Sequence, residues 1–347
     1  MEQFWNRYGS RKMKAIWSQK SERITWRRIW YGVLQYLYKI GKITEEQLEA
    51  AENSRFILNL DLSNEIEEIV KHDLVAEKQT YQAQCPSVAE WIHKGLTSAD
   101  IKDNADIIHQ KRALKIILRL LNQTRIKLEK LVEEKKDRII IGFTHLQPAR
   151  PLSLGMRLSV YRNILLEHER RLSKLELRAK GVRGPVGDEK FVADELGITI
   201  QDVTQLNIHL AIAFDWRYFP VTSQTYPRIQ DYTLLSELAG LAASLHKIAL
   251  DFRLMQAQGL YKEPFEEMQV GSSAMPEKQN PILCEKICSL SRIVLANSNV
   301  AWENAANNML ERTLDDSANR RLVIPTSFLA IEEMLMSMEK VLNGIFS

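Results

Sequence analysis

Apolar residues recur three and four positions apart over long stretches of the chain, and only 14 of its 347 residues are glycine. This spacing puts apolar side chains on one face of an α-helix, whereas the alternation typical of strands is rare. The pattern therefore predicts an all-α protein with several long helices. Their markers are the stripe Leu114, Ile117, Leu120, Leu121, Leu128 and Leu131, a segment from Leu152 to about Lys180, the series Leu234, Leu238, Leu241, Leu245, Ile248 and Phe252, a segment that begins near Pro281, and the series Ile324, Phe328, Ile331, Leu335, Met338 and Leu342.

Helices of this length leave an apolar face uncovered on a single chain, so packing into a bundle, also between copies, is favoured. We therefore expect an oligomer. We expect the chain to divide into a smaller N-terminal helical domain, residues 1–98, and a central long-helix bundle, residues 99–347, that carries oligomerisation and the active site. Segments rich in Gly, Pro, Ser and Thr separate the helices, and such loops are where chemistry usually lies.

Charge and cysteine content exclude several classes of protein. Lys and Arg number 47 and Asp and Glu 44, so the net charge of +3 is small, which argues against a nucleic-acid-binding protein. The segment Met1–Arg7 lacks the pattern of a signal peptide and no apolar run is long enough to span a bilayer. We expect a cytoplasmic protein without a membrane partner. The three cysteines indicate neither a disulfide framework nor a metal site.

The segment Gly271-Ser272-Ser273-Ala274-Met275-Pro276-Glu277-Lys278-Gln279-Asn280-Pro281 combines paired hydroxyls with a cation and an amide just before a predicted helix. Such a loop suits the removal of a proton next to a carboxylate, because Lys and amide donors stabilise the dianion that develops. On the residues alone, an ordinary polar surface loop remains the alternative.

This segment resembles the signature loop of the fumarase/aspartase superfamily, in which Gly-Ser-Ser-x-Met-Pro-x-Lys-x-Asn-Pro is a long and specific pattern. Further segments are similar to the adenylosuccinate lyase branch of that superfamily, and the resemblance spans nearly the whole chain. These segments are Arg7-Tyr8, Met13–Ser18, His72–Ala76, His93–Ser98, Thr144-His145, Ser223–Thr225 and Glu311–Arg321.

The resemblance implies an anti elimination that releases fumarate and AMP from adenylosuccinate, and the same step on the analogous succinyl-carboxamide ribotide. Ser272 is then the base that takes a proton from the succinyl carbon, with Lys278 and loop amides to stabilise its alkoxide. His145 is the acid that protonates the departing purine nitrogen, and His72 supports it. From its neighbours alone, His145 is more typical of a turn. No cofactor and no metal is implied.

A set of arginines and hydroxyls distinguishes this branch, since other members of the superfamily have no phosphate to bind. Arg7, Tyr8, Arg312, Ser317 and Arg321 match the residues that hold the nucleotide, and arginine forks suit phosphate oxygens. A salt-bridged helix is the alternative, because acidic residues are close by. The remaining substrate-binding residues implied by the resemblance are Lys71, Asp73, His93, Thr97, Ser98, Thr144, Gln224, Ser273, Met275, Asn280 and Lys286. Asp73 is also available to orient an imidazole.

The sequence departs from the family pattern in three places. Lys71 and Lys286 stand where relatives have Arg, so a bidentate contact becomes a point contact and substrate choice is open to change. Relatives also continue into a small C-terminal helical domain, which we expect to be absent or truncated here because the last predicted helix runs almost to Ser347.

The resemblance further implies a homotetramer whose central helices pack together and whose active sites draw residues from more than one subunit. Two alternatives stay open at this point. One is another fumarate-releasing lyase with a different succinyl substrate, suggested by the two Arg-to-Lys changes. The other is a catalytically silent structural relative, suggested by the expected loss of the C-terminal domain.

Overall fold

The computed structural model of the chain describes residues 2–271, 273–275 and 277–346. Ser272, the base expected from the sequence, lies outside the described residues. Helices dominate the fold, as the hydrophobic pattern predicts. They are α1 (Glu2–Arg7), α2 (Arg11–Ile16), α3 (Gln19–Lys39), α4 (Glu45–Ser54), α5 (Leu60–Val70), α6 (Asp73–Gln84), a 3₁₀ helix (Pro86–Trp91), α7 (Ser98–Glu134), α8 (Leu154–Ser173), α9 (Glu189–Leu196), α10 (Ile200–Phe214), α11 (Ile229–Ala257), α12 (Ile282–Ala306) and α13 (Ser317–Val341).

The strands of the described residues form three small two-stranded sheets. An antiparallel hairpin joins β1 (Ile139–Thr144) to β2 (Gln147–Ser153), with Thr144 opposite Gln147 at its turn. A parallel pair joins β3 (Arg178–Ala179) to β4 (Arg217–Tyr218), and an antiparallel pair joins β5 (Tyr261–Lys262) to β6 (Ile345–Phe346). The sequence predicted only a loop around residues 144–148, because the hairpin strands are short and largely exposed.

A bundle of long helices forms the main core. α11, α12 and α13 pack side by side, with α7 and α8 against them. Apolar side chains that repeat along each helix meet at the centre, where Leu121, Leu165, Leu241, Ile287 and Phe328 are fully buried. The predicted all-α bundle is confirmed, and α12 begins at Ile282, next to the predicted start at Pro281.

A second core lies beside the bundle and is built around the tryptophans of α3. Trp26 and Trp30 pack there with Leu74 of α6 and with Val182 and Leu206 from later in the chain. This core therefore joins residues from both sides of the domain boundary predicted at residue 98. Within the described residues, no helix has the length and apolar character needed to cross a bilayer.

The helix predicted from Leu152 to about Lys180 is shorter than the pattern suggests. α8 ends at Ser173, and the chain then enters β3. Lys180 is fully buried and forms an ion pair with Asp100 of α7. A buried lysine needs such a partner.

Candidate active site

A cavity of about 310 Å³ opens where the N-terminal ends of α7 and α13 meet. Four of the residues nominated from the sequence line it, namely Ser98, Arg312, Ser317 and Arg321. The segments that carry them are more than two hundred residues apart in the chain. The fold thus brings together the nominated phosphate-binding residues of the C-terminal half and a serine of the N-terminal half.

The two helices that start at this cavity differ in their N-terminal caps. Thr97 is the N-cap of α7, and its backbone N–H donates to Asp100 Oδ2 at 2.8 Å. The other oxygen of Asp100 accepts from the backbone N–H of Arg183 at 2.9 Å and pairs with Lys180. α13 begins at Ser317 without a side-chain cap at its N-cap residue. The positive end of a helix dipole favours anions.

Two arginines form the buried floor of the cavity and are fully engaged with acidic partners. Arg228 donates to both oxygens of Asp103 at 3.0 and 3.1 Å and to Asp316 Oδ2 at 2.5 Å. Arg320 donates to Asp231 at 2.7 Å, to Asp106 at 2.9 Å and to the hydroxyl of Tyr226 at 2.6 Å. Each of these guanidinium groups donates three hydrogen bonds to neighbouring side chains, so this network shapes the cavity and joins α7, α11 and α13.

Arg312 and Arg321 are engaged far less. Arg312 Nη1 donates to Asp316 at 2.7 Å, and Arg321 Nη2 donates to Asp73 at 3.0 Å. The side chain of Arg321 is 58% exposed, against 9% for its neighbour Arg320. In the part of the chain that the structure describes, most N–H groups of these two guanidinium groups are left for a ligand. With the Ser317 hydroxyl, they suit phosphate oxygens.

Asp106 and His109 are among the groups on the cavity wall whose pKa values are shifted. Burial, opposed by Arg320 and reinforced by Asp103, raises the pKa of Asp106 to about 6. Burial, with a contribution from Arg112, lowers the pKa of His109 to about 4. His109 is therefore uncharged at neutral pH.

Sequence analysis missed the residues that complete this cavity. One signal was available: after Thr97-Ser98, the polar residues of α7 continue at helical spacing along one face. The missed residues are Trp17, Lys102, Asp103, Asp106, His109, Arg228 and Arg320.

The histidines nominated around the succinyl group lie at the start of α6 and ahead of α7. His72 is the N-cap of α6, and its Nδ1 accepts from the backbone N–H of Val75 at 3.5 Å. Its distance to Asp73 Oδ1 is also 3.5 Å, whereas both oxygens of Asp73 lie 2.6 Å from Lys102 Nζ. Asp73 therefore binds cations more closely than the imidazole it was expected to orient. Lys71 ends α5 in a left-handed conformation and is exposed.

His93 lies in a left-handed conformation before the glycine that precedes α7. Its Nδ1 accepts from the indole N–H of Trp30 at 3.1 Å. Burial is the main cause that lowers its pKa to about 4, although Asp100 opposes the shift. His93 is therefore held as a neutral acceptor.

His145 lies at the turn of the hairpin, away from the first cavity. His145 and Leu146 both have positive φ, 52° and 59°, as a tight hairpin turn requires. His145 and the exposed Thr144 thus stand at the tip, and His145 lines a second cavity of about 610 Å³ with Tyr161 and Asp251. Among the described residues, the two cavities share no lining residue.

The signature loop lies at the start of α12. Asn280 Nδ2 donates to the carbonyl oxygen of Gly271 at 3.1 Å and so holds the two ends of the loop together. The buried Glu263 accepts from the backbone N–H groups of Leu283 and Cys284, at 2.7 and 3.0 Å, and caps α12. Three expected site residues between the ends of the loop are exposed, namely Ser273, Met275 and Lys278.

The remaining nominees lie elsewhere on the chain. Arg7 and Tyr8 follow one another where α1 ends, and the next residue, Gly9, donates its N–H to Glu333 at 3.2 Å. Lys286 pairs with the same carboxylate at 2.6 Å, so the N-terminal pair and this lysine are neighbours. Gln224 donates its backbone N–H to the carbonyl oxygen of Glu311 at 3.2 Å, next to Arg312.

Relatives of known activity match this chain along nearly its whole length. The family model described as Lyase matches residues 34–295. The adenylosuccinate lyases of Schistosoma mansoni and Saccharomyces cerevisiae are each 35% identical to it, over 98% of this chain and 72% of the relative. The adenylosuccinate lyase of Pyrococcus horikoshii is 33% identical over 98% of this chain and 75% of the relative.

Solved structures share the fold. The fumarate lyase from Mesorhizobium sp. BNC1 superposes with a TM-score of 0.83 at 21% identity, covering 96% of this chain and 75% of that chain. The 3-carboxy-cis,cis-muconate lactonizing enzyme from Pseudomonas putida has a TM-score of 0.89 at 19% identity, covering 100% and 78%. The family match and the curated relatives give the same answer as the signature loop: the chain belongs to the adenylosuccinate lyases of the fumarase/aspartase superfamily.

Proposed function

We propose that the chain cleaves the C–N bond of adenylosuccinate to give AMP and fumarate. The observation that carries this proposal is the meeting of Arg312, Ser317 and Arg321 at one cavity, with donors left over for a ligand. The curated relatives bear the name of this activity. The same groups suit the analogous succinyl-carboxamide ribotide, because it carries the same phosphate and a succinyl group on nitrogen, here the nitrogen of a carboxamide.

The proposed phosphate site uses charge and geometry together. Arg312 and Arg321 supply planar N–H pairs that match phosphate oxygens, and Ser317 supplies a hydroxyl at the first turn of α13. The helix N-terminus adds partial positive charge at the same point. Arg228 and Arg320, beneath these residues, are held by acidic partners and keep the site rigid. A rigid site loses less conformational entropy when the ligand binds.

The chemical step is an anti elimination. Ser272, as an alkoxide stabilised by Lys278, removes the proton from the succinyl carbon, and the charge passes onto the neighbouring carboxylate. The electron pair then forms the C=C bond of fumarate while the C–N bond breaks, and His145 gives a proton to the departing purine nitrogen. Ser272 ends protonated and His145 deprotonated, so one proton exchange with solvent resets the site.

We further propose a homotetramer in which each site is completed by neighbouring copies. Among the described residues, the phosphate cavity shares no lining residue with the cavity at the hairpin tip that holds His145. The long helices also expose large apolar side chains, as is typical of surfaces that pack against another chain. Among them are Met156 and Val160 of α8, Leu254 of α11, and Leu295 and Trp302 of α12.

A direct assay tests the proposed activity. The purified chain is mixed with adenylosuccinate, and the change in purine absorbance is followed together with the release of fumarate. We expect turnover that rises to saturation. Failure of a folded, assembled sample to release fumarate contradicts the proposal, whereas fumarate from another succinyl amine alone points to the alternative substrate.

Arg321→Ala tests the phosphate site within the same assay. It removes two or more charge-assisted hydrogen bonds, so we expect KM for adenylosuccinate to rise about tenfold or more. Arg119→Ala is the matched control, because Arg119 is exposed on α7 outside the cavity. Equal KM values for the two variants would contradict a role of Arg321 in substrate binding.

A further inference from the structure

Lys102 stands on the wall of the phosphate cavity, and neither the sequence motifs nor the relatives' names assign it a role. It follows Ser98 by one helical turn on α7. Its Nζ lies 2.6 Å from both oxygens of Asp73, and its side chain is 23% exposed. The same Asp73 accepts from Arg321 Nη2 at 3.0 Å. One carboxylate therefore holds two cations at the cavity.

Two cations, Lys102 and Arg321, share the single carboxylate of Asp73 at the cavity. Of the acidic residues that line the cavity, Asp103 is bound by Arg228 and Asp106 by Arg320. The third, Glu22, lies 3.9 Å from Arg23, and its pKa is raised, chiefly by partial removal from water. Lys102, Arg312 and Arg321 line the same cavity, and each keeps N–H donors that no partner among the described residues takes. A phosphate dianion can accept these hydrogen bonds and adds negative charge beside the shared carboxylate.

An ammonium group has three N–H donors, and Asp73 takes two of those on Lys102. The third is available within the described residues to an oxygen in the cavity. The Lys102 ammonium also lies 5.3 Å from the ring centroid of Trp26, which restricts its stem to the wall. The side chain is thus held in place before any ligand arrives.

We propose that Lys102 is a third cation of the phosphate site and that Asp73 is the positioning residue that holds Lys102 and Arg321 at a fixed separation. The inference rests on the proposed function, since it takes the 5′-phosphate of the nucleotide as the ligand. Arg321 binds the phosphate through two N–H groups of its guanidinium, and the ammonium of Lys102 adds a single positive charge from the α7 side. Asp73 keeps the two cations from moving apart when the site is empty.

Binding of AMP and of adenosine, measured by calorimetry on the intact protein, tests this inference without turnover. The two probes differ only by the phosphate. Lys102→Met keeps the length of the side chain and removes its charge, so we expect AMP to bind about tenfold more weakly and adenosine to bind unchanged. Lys102→Arg should retain most of the AMP affinity. Lys115→Met, at an exposed lysine of α7 outside the cavity, is the matched control.

Asp73→Asn tests whether Asp73 positions the two cations or only supports the fold. Loss of its charge should weaken AMP binding and leave adenosine binding and the circular dichroism spectrum unchanged. The inference is overturned if Lys102→Met binds AMP as tightly as the wild type does. It is also overturned if the substitution lowers the affinities for AMP and adenosine equally, or if the wild type binds the two probes with equal affinity. The fumarate assay tests the proposed function separately. If the wild type releases fumarate but Lys102→Met binds AMP normally, the inference fails and the proposed function stands.

Discussion

Burial determines the charge of individual side chains near the cavity. His109 is 4% exposed, and its Nε2 lies 3.0 Å from the hydroxyl of Thr25. Removal from water disfavours the protonated ring, and the nearby Arg112 adds to this effect, so its pKa falls to about 4. A neutral imidazole next to Trp17 leaves the positive charge of the cavity to the lysine and the arginines.

This depressed pKa makes the fold sensitive to acid. An unfolded histidine titrates near 6.5 and the folded His109 near 4, so its contribution is complete above 6.5 and is lost as the pH falls towards 4. At pH 5 the loss is about 2 kcal/mol of unfolding free energy. In His109→Gln, urea unfolding at pH 7 and pH 5 should therefore differ less than in the wild type. An equal difference in both proteins would contradict the assigned pKa.

At the level of helices, the buried ion network decides how α7, α11 and α13 meet. Arg228 is 3% exposed and is bound to Asp103 of α7 and to Asp316 before α13. Both carboxylates are themselves 2% exposed. Burial alone would raise the pKa of Asp316, but Arg228 and Arg320 outweigh it and hold that pKa below its usual value.

Arg228→Met is expected to destabilise the protein by about 3–5 kcal/mol, because among the described residues Asp103 then keeps only the backbone N–H of Tyr226 and Asp316 only Arg312 as close hydrogen-bond donors. Thermal unfolding followed by circular dichroism measures the loss. Adding Asp103→Asn to Arg228→Met should recover part of it, since the unpaired charge is then removed. A melting temperature for Arg228→Met equal to that of the wild type would show that the network contributes little to stability.

Periodic features of the fold were predictable from the sequence, and features set by distant contacts were not. The apolar repeat of Leu234 to Phe252 predicts α11, because helix formation there depends on a pattern within the helix itself. The position of Lys180 outside α8 goes with its pairing to Asp100 of α7, a distant contact that local periodicity does not contain. Likewise, the resemblance indicated Arg312 and Arg321, whereas Lys102 emerges only when α6, α7 and α13 are seen together.

Over the whole molecule, the positions of the nominated groups are the basis for the proposed sharing of sites between copies. The phosphate cavity lies at the N-terminal ends of α7 and α13, and His145 stands at the tip of the hairpin between α7 and α8. The signature loop precedes α12. Exposed apolar residues on α8, α11 and α12 offer the surface through which copies can bring these parts together.

Mixing two inactive variants tests this central claim most directly. Ser272→Ala and His145→Ala are each expected to lose at least about a thousandfold in kcat/KM, because each lacks one of the two proton-transfer groups. The two variants are then co-expressed with different tags, and oligomers that contain both are purified. If the hydroxyl and the imidazole of a site come from different copies, about a quarter of the sites in an equal mixture carry both native groups, and a corresponding share of the wild-type activity returns. Mixed oligomers that remain as inactive as either variant alone would contradict the shared site.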